Sequence, residues 1–181
     1  MIHLAFKHDI AFSGNFAGAA TADRRAIETF GEALAGSDRP FLIASGTLGL
    51  APGRVATERD GTPESDAQLP FSGAEARLAN AHLALSIAGR GVRSSVVRLP
   101  PTCHGNGDDG FMAFIVGIAR DKGVSGYVGD GSNRWPAVHR LDAAPPTAWL
   151  GTDASRAHRR SRPGALLPSP VRMTKYRRSA R

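Results

Sequence analysis

Three short apolar runs follow one another along this chain: Ile2-His3-Leu4-Ala5-Phe6, the stretch 40–47 (PFLIASGT) and the stretch 93–105 (RSSVVRLPPTCHG). Each ends in small or hydroxyl-bearing residues, and amphipathic stretches separate them. Parallel strands need crossover connections, usually helical, so the alternation predicts β-α-β-α-β and an α/β fold with a parallel sheet. In an open sheet of this kind the loops leaving the carboxyl ends of the strands diverge, and ligands bind in the crevice between them. The order of the runs therefore nominates a site before any reactive residue is considered.

The intervening segments fill in the pattern. Residues 2–6 are apolar apart from His3, as suits a strand buried on both faces. The Gly/Ala-rich stretch SGNFAGAA reads as a loop, after which Ile27, Phe30 and Leu34 recur at helical spacing within 23–34. Gly36 then supplies a stop. A strand is predicted over 41–44, a long loop over 51–72, which holds three prolines, an Ala/Leu-rich helix over 74–88 and a strand over 94–99. Pro100-Pro101 cannot continue a central ladder. Phe111, Phe114, Ile115 and Ile118 form an i, i+3, i+4, i+7 set behind the acidic Asp108-Asp109-Gly110, which predicts a further amphipathic helix. A short apolar piece, Tyr127-Val128, then precedes a loop over 129–136.

Charge divides the chain. The formal net charge of +7 invites a nucleic-acid reading, but residues 1–144 carry 14 Lys and Arg against 15 Asp and Glu, while 145–181 carry 9 against one. Nucleic acid is therefore not the expected partner of the globular part, and the boundary is placed near 144. The Arg-, Pro- and Ser-rich tail has too few large apolar residues to offset its ordering entropy and is expected to be disordered. The single cysteine, Cys103, excludes an intramolecular disulfide and a multi-cysteine zinc site. The histidines are scattered without ligand spacing, so no metal is expected. No run of about 18 apolar residues occurs and no secretory signal opens the chain. The expectation is a soluble cytoplasmic protein without a membrane span.

With these residues in order, residues 1–144 resemble the short-chain dehydrogenase/reductases, in their extended or atypical branch of NAD-dependent epimerase/dehydratase and 3β-hydroxysteroid dehydrogenase-like proteins. Ile2-His3-Leu4-Ala5 looks like the family's fourth strand, and Ser45-Gly46-Thr47 like the end of the fifth, where the catalytic hydroxyl sits. The stretch 97–105 resembles the sixth strand and the turn beside the nicotinamide. Gly129-Asp130-Gly131 with 135–142 resembles the segment flanking the substrate. The family's Gly-rich cofactor loop follows its first strand and would lie before Met1, so no phosphate loop is expected here and dinucleotide affinity should fall. Gly73 and Arg77 stand where the family has its Tyr and Lys. Arg77 retains a cation but cannot replace the phenolic acid.

The resemblance thus implies a partial Rossmann-like, doubly wound domain of an NAD- or NADP-dependent oxidoreductase or epimerase, inactive if its missing parts are essential, acting on a small hydroxyl/carbonyl substrate, with 74–88 as the segment through which such relatives form homodimers. It implies catalytic roles for Ser45, Thr47 and Arg77. Cofactor contacts would come from His3, Leu4, Ala5, Pro100, Pro101 and Thr102, and substrate contacts from His104, Arg134 and Trp135. The alternative is a non-catalytic remnant or binding module whose Arg-rich tail holds acidic partners.

Overall fold

A computed structural model describes residues 1–48, 50, 55–57, 60 and 73–144. The elements run β1 (Ile2–His3), α1 (His8–Phe12), α2 (Phe16–Leu34), β2 (Pro40–Gly46), α3 (Gly73–Ser86) with a 3-10 turn at Ile87–Arg90, β3 (Arg93–Leu99), β4 (Thr102–His104), α4 (Phe111–Lys122) and β5 (Ala137–His139). Residues 140–144 are again helical. The expected loop over 51–72 falls largely, and the expected tail over 145–181 entirely, outside the described residues.

The chain is mixed α/β, and its strands pair in parallel. The main sheet has the order β1-β2-β3, with Ile2 opposite Leu42 and a seven-residue register from Pro40 opposite Arg93 to Gly46 opposite Leu99. Each crossover therefore moves one position in the same direction. Right-handed connections of that kind put both helices on one face, and α2 and α3 do pack against each other over a single core. Ile27 and Leu34 from α2 meet Phe41 and Ile43 from β2, Ala84 and Ile87 from α3 and its turn, and Val92. Phe30, Leu83 and Val96 close around them. Each fully buried large side chain contributes about 1.5–3 kcal/mol relative to exposure.

Two local expectations change. The segment 2–6 is a strand only at Ile2–His3, because the chain turns into α1 within five residues. Of the stretch read as a Gly/Ala loop, residues 13–15 are non-helical but residues 16–20 instead open α2, which begins at Phe16 behind an Asn15 cap whose side chain accepts from Gly18 N–H at 2.9 Å. Small residues there serve packing: Ala19 and Ala20 are fully buried. Tyr127-Val128 forms no strand and both residues are exposed.

A second parallel pair, β4-β5, was not anticipated. Thr102 lies opposite Ala137 and His104 opposite His139, with α4 as the crossover. The predicted helical spacing in α4 is present, but its apolar stripe faces outward. Phe114 is 66% exposed and no residue of α4 is buried. Among the described residues no helix is long and apolar enough to cross a membrane.

The α2–β2 and α3–β3 connections lean on each other. Gly36 N–H donates to Arg90 C=O at 2.8 Å and Asp38 N–H to Gly91 C=O at 2.9 Å. Gly91 has φ +73°, and a Cβ there would lie 3.3 Å from Gly36 Cα. Gly91→Ala is expected to lower stability by about 1–2 kcal/mol, the cost of forcing an L-residue into the left-handed region, read as a lower urea midpoint at unchanged slope.

Candidate functional site

The polar residues at the carboxyl ends of β1 and β2 form one group with residues of α2 and α3. Arg77 leaves the first turns of α3 and crosses to β2, where its Nη2 donates to Ala44 C=O at 2.7 Å. Its guanidinium carbon sits 3.9 Å above the centre of the Phe6 ring. Burial pushes the Arg77 pKa down from its ordinary value, while the Asp23 carboxylate pulls it back up. One turn further along α3, Asn80 donates from Nδ2 to Ala20 C=O and to Asp23 Oδ2, both at 2.9 Å. Asp23 Oδ1 pairs with His3 Nε2 at 2.9 Å. The chain of contacts His3, Asp23, Asn80 thus ties β1 to both helices.

Two sites in this region have buried donors without acceptors. Among the described residues, Arg77 Nε and Thr47 Oγ1 have no hydrogen-bond partner, and Asn80 Oδ1 likewise lacks a donor. Buried polar atoms are ordinarily paired, and leaving one unpaired costs about 1–3 kcal/mol. Two donors near the carboxyl end of β2 suit an incoming acceptor oxygen, from a carbonyl or carboxylate. Ser45 is placed differently. It is 4% exposed and turns toward α3, where its hydroxyl donates a long 3.4 Å bond to Arg77 C=O. Thr47 stands two residues beyond, held to the end of β3 by its N–H on Leu99 C=O at 3.1 Å.

The remaining expected site residues fall into three places. Leu4 is 54% exposed, and Ala5 lines a cavity of about 340 Å³ with Phe6 and with Ala22, Asp23 and Ala26 of α2. Pro100-Pro101 leads directly from β3 into β4. There Thr102 is buried and its Oγ1 accepts from Trp135 Nε1 at 2.8 Å, while the indole stacks on Phe111 with ring centres 5.5 Å apart. Trp135 therefore has a definite packing role. His104 meets His139 edge to face at 5.4 Å, and Arg134 is exposed. Ser45, Thr47 and Arg77 are thus brought to one end of β2, and Thr102 and Trp135 into contact beside β4.

Sequence reasoning did not assign Asp23 or Asn80 to the site. Asp23 was taken only as the opening of a helix, yet it lies four residues before Ile27 and seven before Phe30, on the buried stripe. A carboxylate in a stripe of that kind is a signal for a buried partner.

Two glycine patterns bear on the expectation that the chain has no phosphate loop. Gly105-Asn106-Gly107-Asp108-Asp109-Gly110 has the G-x-G-x-x-G pattern, after β4 and before α4, and Gly123, Gly126 and Gly129 have a G-x-x-G-x-x-G pattern. The second follows the end of α4 rather than a strand. The first has the strand-loop-helix setting of a phosphate loop, but Asp108 Oδ1 already accepts the Gly110 N–H at 2.9 Å. A carboxylate thus occupies the place an anion would take, and its charge repels a pyrophosphate. The nearby Cys103 thiol is pushed above its ordinary value by partial burial and then by Asp108, which disfavours the thiolate nucleophile.

Comparison with known proteins found two curated relatives. The uncharacterized protein YLL056C of Saccharomyces cerevisiae is 44% identical over 145 residues, covering 80% of this chain and 45% of the relative. The uncharacterized protein C2A9.02 of Schizosaccharomyces pombe is 41% identical over 145 residues, with the same shares. No family model matches, and no solved structure matches. The chain is similar to two yeast proteins and spans less than half the length of either.

Proposed function

We propose that this chain is part of an NAD(P)-dependent oxidoreductase or epimerase/dehydratase-like protein acting on a small hydroxyl/carbonyl substrate, built on a partial Rossmann-like doubly wound sheet. The observation that carries the reading is the pair of buried, unpartnered donors, Thr47 Oγ1 and Arg77 Nε, in the region of the carboxyl end of a parallel strand. That is where open α/β sheets bind ligands. The resemblance of residues 1–144 to short-chain dehydrogenase/reductases supplies the substrate class.

In this reading the Thr47 hydroxyl donates to the substrate carbonyl oxygen and Arg77 adds positive charge beside it. Ser45 holds the first turns of α3, and with them Arg77, against β2. His3, Asp23 and Asn80 fix the distance from β1 to the helices. A bound nicotinamide would supply the hydride chemistry, for which no side chain can substitute. The described residues fit the carbonyl side of such a site. A cradle for the pyrophosphate is not found among them, since Asp108 closes the one glycine loop with the right setting.

Titration of NADH or NADPH fluorescence with the purified chain, and with the full-length S. cerevisiae relative, tests the proposal. Saturable binding is expected, weaker for the chain. Arg77→Met should weaken it at least tenfold, by removing a charge-assisted hydrogen bond of about 1.5–3 kcal/mol. A salt series with nonspecific DNA should show no binding by residues 1–144. Absence of dinucleotide binding by both proteins would overturn the reading.

A further inference from the structure

Three side chains meet around the Phe6 ring, just beyond the carboxyl end of β1. The Arg77 guanidinium lies 3.9 Å above the ring centre, and the His8 imidazole stands edge to face with it, centres 5.1 Å apart and planes at 71°. Phe16 of α2 packs on the same ring at 5.6 Å and fixes it in place. His8 is exposed, with its backbone N–H held on Phe6 C=O at 2.9 Å. One aromatic ring therefore sets the spacing between a cation and an imidazole that solvent can reach.

The cation is not matched. A guanidinium has five N–H donors and a permanent charge. Arg77 donates to Ala44 C=O, yet its Nε is buried without an acceptor. Among the described residues no carboxylate pairs with it. The negative charge it feels is that of Asp23, whose two oxygens are already held by His3 and Asn80. Buried charges are ordinarily both paired and hydrogen-bonded. A neutral carbonyl would bring only an acceptor, whereas a carboxylate brings acceptor oxygens and the opposite charge.

His8 is poised to respond to such a group. Packing against Phe6 and Phe12 strips part of its hydration, and this, then the Arg77 charge, holds its pKa below the ordinary value against the raising effects of Phe6 C=O and Asp9. The imidazole is thus mostly neutral at pH 7. Lys7 and Asp9 beside it carry opposite charges, and Asp23 lies beyond Arg77 with its oxygens engaged.

We propose that Arg77 and His8, both resting on Phe6, seat a carboxylate of the substrate, so that the compound whose carbonyl meets Thr47 is an oxo acid. The inference deepens the proposed reaction and rests on that reading for the carbonyl half alone. An anion beside His8 stabilises the imidazolium, so the pKa is higher in the complex than in the free chain. Binding then takes up a proton, tightens as the pH falls through this range, and loses that gain above it.

Titration of the 181-residue chain with pyruvate, followed through the NMR signals of the His8 ring and the Arg77 Nε–H, tests the proposal. Pyruvamide, which keeps the carbonyl without the charge, and inorganic phosphate are the comparisons. Pyruvate should bind at least tenfold more tightly than either, and at least threefold more tightly at about pH 5.5 than at about pH 8, where its carboxylate stays ionised throughout. His8→Gln, at an exposed position, should abolish the pH dependence and leave the affinity at about pH 8 unchanged. Equal binding of pyruvate and pyruvamide overturns the proposal, as does tighter binding of phosphate or a pH dependence that survives in His8→Gln. NADH titration of the same samples keeps the two readings apart. Pyruvate binding with proton uptake in a chain that takes no dinucleotide supports the carboxylate seat and sinks the redox reading, while dinucleotide binding without preference for pyruvate does the reverse.

Discussion

Replacing Asp23 with alanine is expected to lower folding stability by about 3 kcal/mol, the largest effect expected of a polar substitution among the described residues. Asp23 Oδ1 and Oδ2 serve two different donors, His3 Nε2 and Asn80 Nδ2, both at 2.9 Å. His3 and Asp23 have side-chain exposures of only 10% and 6%, and Asn80 is 1% exposed. The truncated site would leave His3 Nε2 and one of the two Asn80 Nδ2 hydrogens without an acceptor, the other keeping Ala20 C=O, and admit little water to replace it. Each stranded group costs about 1–3 kcal/mol. Asp23→Asn keeps the volume and one acceptor oxygen, so about half the loss is expected. Urea unfolding monitored by circular dichroism reads both, and a loss under about 1 kcal/mol for the alanine variant would show that solvent reaches the carboxylate.

Phe41→Ala is expected to cost more, about 3–5 kcal/mol. The ring is 1% exposed, sits at the centre of the apolar cluster between β2, α2 and α3, and packs against Phe30 with centroids 5.9 Å apart and planes tilted by 58°. A cavity there is bounded by three elements that are themselves paired to one another, so collapse around it is limited. Phe114→Ala, the same chemical change on the exposed stripe of α4, should alter stability by less than about 0.5 kcal/mol. Equal losses from the two substitutions, measured as shifts in urea midpoint, would mean that α4 is packed in solution.

The contrast between these two phenylalanines shows what could be read in the sequence. Strand β2 was legible because a strand buried among neighbours is apolar without interruption, and Phe41, Leu42 and Ile43 are so buried, while β3 offered only Val96, Val97 and Leu99 among polar residues before Pro100-Pro101. Parallel pairing followed from the helical segments between them. Periodicity also located α4, since a helix is defined by spacing whether or not anything covers it. Burial of its stripe did not follow, because spacing identifies a face and not what covers it. The first turn of α2 was hidden because Gly18, Ala19 and Ala20 look like a flexible loop, whereas Gly18 leaves room for the Asn15 cap and Ala19 and Ala20 are fully buried. Strands of three residues, as in β4 and β5, carry too little pattern to be detected.

The site was legible in part for a related reason. Ser45, Thr47 and Arg77 lie where strand ends and the resemblance pointed, and the structure does bring them together at one end of β2. What the one-dimensional pattern hid was direction: Ser45 turns toward α3 and Thr47 does not. Asp23 and Asn80 were overlooked because their importance lies in each other and in His3, residues 20 and 57 positions from Asp23 along the chain.

The outward-facing α4 has a consequence for how the molecule breathes. Because none of its residues is buried, detaching its turns uncovers little apolar surface that was not already wet, and denaturant acts in proportion to newly uncovered surface. Such excursions would proceed at nearly the same frequency in plain buffer and in sub-denaturing urea, while β1, β2 and β3 remain paired. Trypsin cleavage after Arg120 or Lys122 would accordingly report a motion that an unfolding curve does not register.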